Sequence, residues 1–242
     1  PPFVSKKRHW DLIDEKDIRI PPKDNSDHPV QKYQRAIKGN EKDIPEEMIY
    51  KIRHSYYAMI TALDEMVGEL LTTLEELGLK DSTYIIFSSD HGEMAAEHNQ
   101  LRKNTLYEPS VHIPLIISGP EIKNGIEIKN PVSLIDIYPT LMEMAGIEGP
   151  SNLEGESLLP EITGGKSNRR KWAFSEYHAD RTNTGSYMLR RGDWKYIKYI
   201  GYEPHLFNLK NDPWEINDLT KEKPDKVKEM DEILESIVDT KA

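Results

Sequence analysis

The longest regular pattern of apolar positions predicts one long helix in the first half of the chain. Gly78 is a typical residue to end it, and Asp43 with Glu46 three residues later fits a capping box at its start, with Pro45 in the first turn. The apolar side chains recur at steps of three or four residues, which places them on one helical face: Ile49, Ile52, Tyr56, Met59, Leu63, Val67, Leu70, Leu74 and Leu77. We therefore expect a helix over about residues 43–77.

Continuous apolar runs follow this helix and predict strands. Residues 83–88 and 112–117 are short β-rich runs without alternation, which is typical of strands covered on both faces. A helix followed at once by such a strand indicates an α/β sheet. A shorter helix is expected over residues 133–146, with Pro139 marking a turn or kink in it.

The pattern changes again in the last third of the chain. Residues 148–170 are rich in Gly, Ser, Pro and charge and predict a connector. After it, turn signals separate four short β-prone stretches, which predict an antiparallel meander, and a polar helix closes the chain. These elements are expected at residues 172–177, 186–190, 194–199, 205–209 and 224–238. We predict two domains, residues 1–165 with the α/β sheet and residues 166–242 with a small antiparallel sheet and the terminal helix.

The opening segment carries no periodic pattern. Residues 1–42 contain Pro21-Pro22, Pro29 and many charges, so we expect irregular structure there. The chain begins with Pro1 rather than Met, from which we expect a chain cut from a longer one. No basic stretch followed by an apolar one is visible at the start, so no signal peptide is expected in it.

Composition narrows the function classes. The chain has 242 residues, 37% hydrophobic and 31% charged, which suits one large domain or two small ones with a core. Its net charge of −10 argues against nucleic-acid binding, which needs a basic face. With no cysteine, a disulfide scaffold and a zinc–thiolate site are excluded. No apolar run approaches the ~20 residues of a membrane span.

The chemistry-bearing residues cluster between Ser88 and Glu108. Asp90 and His91 follow the first predicted strand, and ligands bind at the carboxyl ends of strands in open α/β sheets. The carboxylate suits Ca²⁺ or Mg²⁺, whereas the imidazole suits Zn²⁺ or another transition metal. Lys103 lies close enough in sequence to return to the same pocket. A plain turn, with Asp90 capping the next helix, is the alternative that spacing leaves open.

Several motifs in combination resemble the sulfatase family of the alkaline phosphatase superfamily. Its second signature is matched by Asp90-His91-Gly92-Glu93, Lys103, Tyr107-Glu108 and the stretch from His112 to Ile116. Further matches lie in residues 133–160, 194–197 and 206–219, so the resemblance covers essentially the whole chain. Within the family, the chain is most similar to the uronate-2-sulfatases.

The resemblance implies a fold and a mechanism. The fold would be α/β, the second half of a large mixed sheet flanked by helices, followed by the small antiparallel α+β subdomain. One Ca²⁺ would be held by Asp90 and His91 together with upstream aspartates. The nucleophile would be a formylglycine made from an upstream Cys/Ser-x-Pro-x-Arg motif, which this chain lacks. Lys103 and His91 would take part in catalysis, with Lys103 neutralising the sulfate and the leaving oxygen.

The resemblance also implies partners and a substrate. The substrate would be a sulfated carbohydrate, specifically a 2-sulfated uronate of a glycosaminoglycan, and the N-terminal half of the same enzyme would complete the site. The compartment would be extracytoplasmic: periplasmic or secreted in a bacterium, lysosomal in an animal. Besides Lys103, candidate substrate-binding residues are His178 and Arg181, in a polar loop between two predicted strands, and His98. A histidine packed in a surface loop is the alternative for His98.

Two rival functions stay open on the sequence. A phosphatase or phosphodiesterase of the same superfamily typically binds two transition-metal ions through additional His and Asp ligands. One metal-type pair with a lysine favours a single cation instead. A non-catalytic carbohydrate-binding remnant is the second rival, because the chain has no nucleophile of the expected kind.

Overall fold

The protein has a mixed α/β fold, described by a computed structural model over residues 3–240. Pro1, the basis for expecting a truncated chain, lies outside the described residues. The chain divides into two compact units. The first contains the residues up to Leu115 together with Ala179–Asn183, and the second contains Ile116–His178 and the residues from Thr184 onward. The predicted domain boundary at residue 165 stays a prediction.

The prediction of an irregular opening segment is wrong. Helices α1, Lys7–Trp10, and α2, Pro29–Ile37, both lie in it. Proline is tolerated in the first turn of a helix, where its missing N–H has no partner to lose. The buried residues of α2 are Val30, Gln31 and Gln34. Two of these three residues are glutamines, so the buried face of α2 does not show as a repeat of apolar residues in the sequence.

The long helix is confirmed as α3, Glu46–Glu76. Its predicted capping box is wrong, because Pro45 is the N-cap residue and no side chain caps the helix. Asp43 pairs with Lys23 instead, at 3.1 Å. The C-terminal prediction is confirmed: Gly78 has φ +66° and its N–H donates to Glu75 O at 3.0 Å.

Short strands follow α3 and carry the candidate site. The strand β1, Ile85–Ser88, pairs with β4, Leu115–Ser118, in a two-stranded sheet. The predicted strands therefore exist but begin two or three residues later than expected. Between them lie the antiparallel hairpin of β2, Met94–Ala95, and β3, Leu101–Arg102, and the one-turn helix α4, Glu108–Val111.

The predicted helix near residue 140 has two parts. A 3₁₀ turn over Leu134–Asp136 leads directly into α5, Ile137–Met144. Ser133 and Asp136 form the capping box there. The predicted connector also contains α6, Leu159–Ile162, whose single turn is too short to show a period.

The C-terminal meander and its helix are confirmed. Strands β5, Trp172–Tyr177, β6, Ser186–Arg191, β7, Trp194–Tyr199, and β8, His205–Asn208, form one antiparallel sheet in sequential order. Helix α7, Pro224–Ile237, packs on it. The core between them contains Leu189, Tyr196, Leu206, Met230 and Leu234. Among the described residues no helix is both long and apolar enough to cross a membrane.

A fully buried ion pair lies in this unit and gives a stability prediction. Lys195 Nζ is 2.8 Å from Glu215 Oε1, and both side chains are 0% exposed. Removing one partner leaves a buried charge without its counterion, so Lys195→Met should lower the free energy of unfolding by about 3 kcal/mol or more. The double variant Lys195→Met with Glu215→Leu should recover most of that loss. Chemical denaturation of both variants tests this, and equal loss in the two would contradict it.

Candidate functional site

Asp90 and His91 form a sharp turn directly after β1. The Asp90 carboxylate is 81% exposed, and its Oδ1 accepts a hydrogen bond from the His91 backbone N–H at 2.9 Å. Ser89 Oγ donates to the His91 carbonyl at 2.8 Å. These local bonds fix the turn, so both side chains project from the end of the strand.

The next residue, Gly92, is packed so closely against the backbone of α4 that no side chain would fit. A Cβ added there would lie 2.1 Å from the carbonyl oxygen of Pro109. The Gly92 N–H donates to the Ser110 carbonyl at 2.8 Å, which holds the two segments together. The glycine of the Asp-His-Gly motif is therefore required by close backbone packing.

The β2–β3 hairpin brings Lys103 back to His91. Met94 pairs with Arg102 and Ala95 with Leu101, so the chain reverses and returns to the turn. The Lys103 carbonyl accepts a hydrogen bond from Ser110 Oγ at 2.6 Å. Lys103 Nζ then lies 2.5 Å from His91 Nε2.

The contacts of His91 define its tautomer. Nδ1 lies 2.8 Å from the Gly92 carbonyl oxygen, which only accepts, so Nδ1 carries the proton. In the neutral ring Nε2 then has a lone pair, directed at the Lys103 ammonium group. Nε2 is also 3.4 Å from Asp90 Oδ2. Carboxylate, imidazole lone pair and ammonium group therefore meet at one point.

Asp90 is held in its charged form. Desolvation of the carboxyl group raises its pKa, but the hydrogen bond from the His91 backbone and the positive charge of Lys103 act in the opposite direction, and the pKa lies below its usual range. An ionised carboxylate beside an imidazole lone pair fits a divalent cation. Calcium takes six to eight ligands, and no group of three or more such ligands exists among residues 3–240. Asp90 and His91 are therefore two candidate ligands at one point, fewer than a calcium ion takes.

A buried ion pair fixes the tip of the hairpin. Glu97 accepts from the Ala95 N–H at 2.6 Å and from Arg53 of α3, which also donates to the Ala95 carbonyl at 3.2 Å. Three tip residues other than glycine, Ala96, His98 and Asn99, have positive φ and need such support. The sequence showed neither Arg53 nor its role, because the arginine lies among the regular positions of α3.

His98 is placed in the interior. Its side chain is 1% exposed, Nδ1 is 2.8 Å from Asp24 Oδ2, and the ring stacks on Tyr107 with centroids 3.7 Å apart. Desolvation raises the pKa of the Asp24 carboxyl group. The hydrogen bond to His98 and the charge of His98 lower it, and the resulting pKa lies below its usual range. A contact of His98 with substrate stays a prediction.

The other two candidate residues belong to different units. Arg181 lies in the segment that joins the first unit, has φ +61°, and pairs with Asp180 at 3.3 Å. Asp180 also accepts from Asn104 Nδ2 at 3.4 Å, one residue after Lys103. His178 lies in the second unit, where Nε2 is 3.2 Å from Glu176 and the ring meets the edge of Tyr187. The structure thus joins the segment of Asp180 and Arg181 to Asn104, the residue after Lys103.

Two family models match the chain. The sulfatase model matches residues 9–147. The model described as N-sulphoglucosamine sulphohydrolase, C-terminal, matches residues 96–241. The first covers the Asp90–Lys103 turn and hairpin, and the second covers the hairpin and the C-terminal sheet.

Known relatives agree with these models. Arylsulfatase K of Danio rerio is 42% identical over 88% of this chain and 42% of its own length. A protein solved with its substrate D-glucosamine-2-N,6-O-disulfate is 32% identical, with TM-score 0.67 over 78% of this chain and 40% of its own. The phosphonate monoester hydrolase of Agrobacterium radiobacter is 25% identical, with TM-score 0.82 over 98% and 54%.

This chain is shorter than the relatives that it matches. The chain spans about two fifths of the length of the curated relatives it matches. Its Asp90–His91 turn, its returning lysine and its C-terminal sheet all lie within the matched regions. The chain belongs to the sulfatase family.

Proposed function

We propose that this chain supplies the second part of a sulfatase active site that hydrolyses a sulfate ester of a carbohydrate. The observation that carries the proposal is the meeting of Asp90, His91 and Lys103 at the end of β1, with Lys103 Nζ 2.5 Å from His91 Nε2. One carboxylate, one imidazole and one ammonium group suit an anionic ester held between a cation and a lysine.

Each of the three side chains has a proposed role. Asp90 and His91 would hold one Ca²⁺, with the Nε2 lone pair of His91 turning from the Lys103 ammonium group to the ion, and the ion when bound supplies positive charge for the sulfate oxygens. The Lys103 ammonium group would donate to the sulfate and the leaving oxygen, where negative charge develops. The Gly92 carbonyl keeps the proton of His91 on Nδ1, so its Nε2 stays an acceptor.

We propose an upstream half of the same enzyme as the partner of this chain. It would carry the formylglycine nucleophile and the remaining calcium ligands. The structure supports a partner because one face of α3 exposes large apolar side chains along several turns, and such patches mark contact surfaces. They are Leu63, Met66 and Leu70, followed by Leu77 at the C-cap. An extracytoplasmic location of the enzyme remains our expectation.

We propose a 2-sulfated uronate as the substrate. The resemblance to uronate-2-sulfatases supports it, and the similar protein solved with a disulfated glucosamine supports the broader class of sulfated carbohydrates. The candidate residues Arg181 and His178 would contact the sugar. Arg181 is the better placed of the two, because Asp180 and Asn104 tie its segment to that of Lys103.

Sulfate release by the intact enzyme tests this proposal. We expect a 2-O-sulfated uronide to be hydrolysed faster than D-glucosamine-2-N,6-O-disulfate, and a calcium chelator to abolish turnover of both. Faster hydrolysis of the glucosamine disulfate would indicate a different sulfated sugar as the substrate, and the proposed sulfate ester hydrolysis would still hold. Turnover unaffected by chelation would contradict the calcium site.

Phosphonate ester hydrolysis is the second candidate. The phosphonate monoester hydrolase has TM-score 0.82 over 98% of this chain. Against it stands the greater identity to arylsulfatase K, 42% compared with 25%. A matched pair of phenyl esters, one of sulfate and one of a phosphonate, separates the two reactions by their kcat/KM values.

A further inference from the structure

A lysine that no motif indicates lies beside the hairpin that carries Lys103. Lys38 follows the last residue of α2 and donates from Nζ to Gln100 Oε1 at 2.9 Å. Gln100 is fully buried, so the amide is a fixed acceptor. Lys38 is itself half-buried, and its ammonium group is bonded to this neutral amide. Its charge is therefore held in place by a neutral acceptor.

Two arginines beside this lysine have strained backbones. Arg102, next to Gln100 on the hairpin, has φ +72°, and Arg181 has φ +61°. A residue with a side chain in this region costs about 1–2 kcal/mol relative to the usual conformations. The Arg102 backbone is held by its N–H donating to Glu93 at 2.8 Å.

The surroundings of Lys38 are electropositive. Desolvation and the positive charges of Arg181 and Arg102 lower the pKa of Lys38 to about 8, although the carboxylate of Glu93 opposes them. Glu93 bonds the Arg102 backbone, and Asp180 pairs with Arg181. Each of these carboxylates is engaged with an arginine. An added anion would lower the repulsion between Lys38 and the two guanidinium groups.

We infer that Lys38, Arg102 and Arg181 form an anion subsite next to the sulfate position, for a second anionic group of the substrate. The inference rests on the proposed function and deepens it. Arg102 directly precedes Lys103, so a ligand whose sulfate meets Lys103 would place a neighbouring oxyanion within reach of the three cations. The oxyanion is either the carboxylate of the same uronate or a second sulfate on the adjoining sugar.

The test compares charged and uncharged substrates in the intact enzyme. Three disaccharides are used: one with a 2-O-sulfated uronate and a sulfated neighbour, one with the carboxylate reduced to an alcohol, and one without the neighbour's sulfate. Wild type should lose about tenfold in kcat/KM when the recognised anion is removed. Lys38→Met should abolish that difference, whichever anion causes it. Lys32→Met is the matched control, since that lysine lies on α2 and pairs with Asp27 at the surface.

A second variant keeps the test valid if Lys38→Met folds poorly. Lys38→Arg retains a charge at every working pH. Wild type should lose its preference for the anionic substrate as the pH rises past about 8, while Lys38→Arg should keep it. The same loss of preference in both proteins would overturn the subsite.

The outcomes separate the two proposals. Turnover of all three disaccharides with the same ratios in wild type, Lys38→Met and Lys32→Met would overturn the subsite and leave the sulfatase proposal standing. Turnover of none, by any variant, would overturn the sulfatase proposal and the subsite with it. A tenfold preference that disappears only in Lys38→Met supports both.

Discussion

Replacement of Lys103 by alanine in the intact enzyme should lower kcat for sulfate ester hydrolysis by about 10²–10³-fold while leaving folding unchanged. The ammonium group lies 2.5 Å from His91 Nε2, where we place the sulfate. Its removal takes away a fixed positive charge aimed at oxygens that become more negative in the transition state. Because the side chain is exposed, the melting temperature should move little.

The control for this variant is Lys80→Ala. Lys80 is an exposed lysine of the same unit that pairs with Glu75 at 3.3 Å, and its loss should leave kcat within about twofold, as expected of a surface ion pair. Sulfate release is measured at saturating substrate for both. Lys103→Ala retaining more than about a tenth of wild-type kcat would show that the lysine has no role in the chemistry.

Replacement of Gly92 by alanine should remove most activity by displacing the Asp90–His91 turn. The added Cβ would meet the backbone oxygen of Pro109 at 2.1 Å, and backbone cannot move away as a flexible side chain can. The bond from Gly92 N to the Ser110 carbonyl would break or lengthen. We expect a loss of about 10²-fold or more in kcat/KM, since misplacing reacting groups by about 1 Å has that effect.

Gly149→Ala provides the comparison for this substitution. A Cβ there would meet side-chain atoms of Leu153 and Met142 at 3.6–3.8 Å, which is ordinary contact. Its activity and melting temperature should stay close to wild type. Equal activity in Gly92→Ala and Gly149→Ala would contradict this prediction. It would mean that the packing of Gly92 against Pro109 is not needed to position Asp90 and His91.

The regular helices and strands could be predicted because apolar and polar residues alternate along them with a regular period. The apolar spacing of α3 and the four strands of the C-terminal sheet are explicit in the sequence, and each forms close to its predicted bounds. Helix α2 could not be predicted, because its buried face includes Gln31 and Gln34. The start of α3 was misassigned because Asp43 has the right residue type but lies two residues before the N-cap position.

The site could be predicted only where its residues are close in sequence. The residues Asp90, His91 and Lys103 lie on one turn and one hairpin, so the spacing and the family resemblance both pointed to them. The supporting contacts are remote: Arg53 reaches Glu97 across 44 positions, and Asp24 reaches His98 across 74. No local pattern marks such pairs. The same holds for Lys38, which reaches Gln100 across 62 positions.

Mass spectrometry of the intact enzyme's peptides upstream of residue 1 tests whether a formylglycine completes the proposed site. We predict a Cys/Ser-x-Pro-x-Arg motif whose first residue carries the mass of formylglycine, in a segment that also holds an aspartate pair. Such a peptide would add the nucleophile to the calcium and sulfate contacts that we propose for Asp90, His91 and Lys103. A threonine or unmodified serine nucleophile without that motif would contradict the proposed sulfatase function and indicate a phosphoryl- or phosphonyl-ester hydrolase.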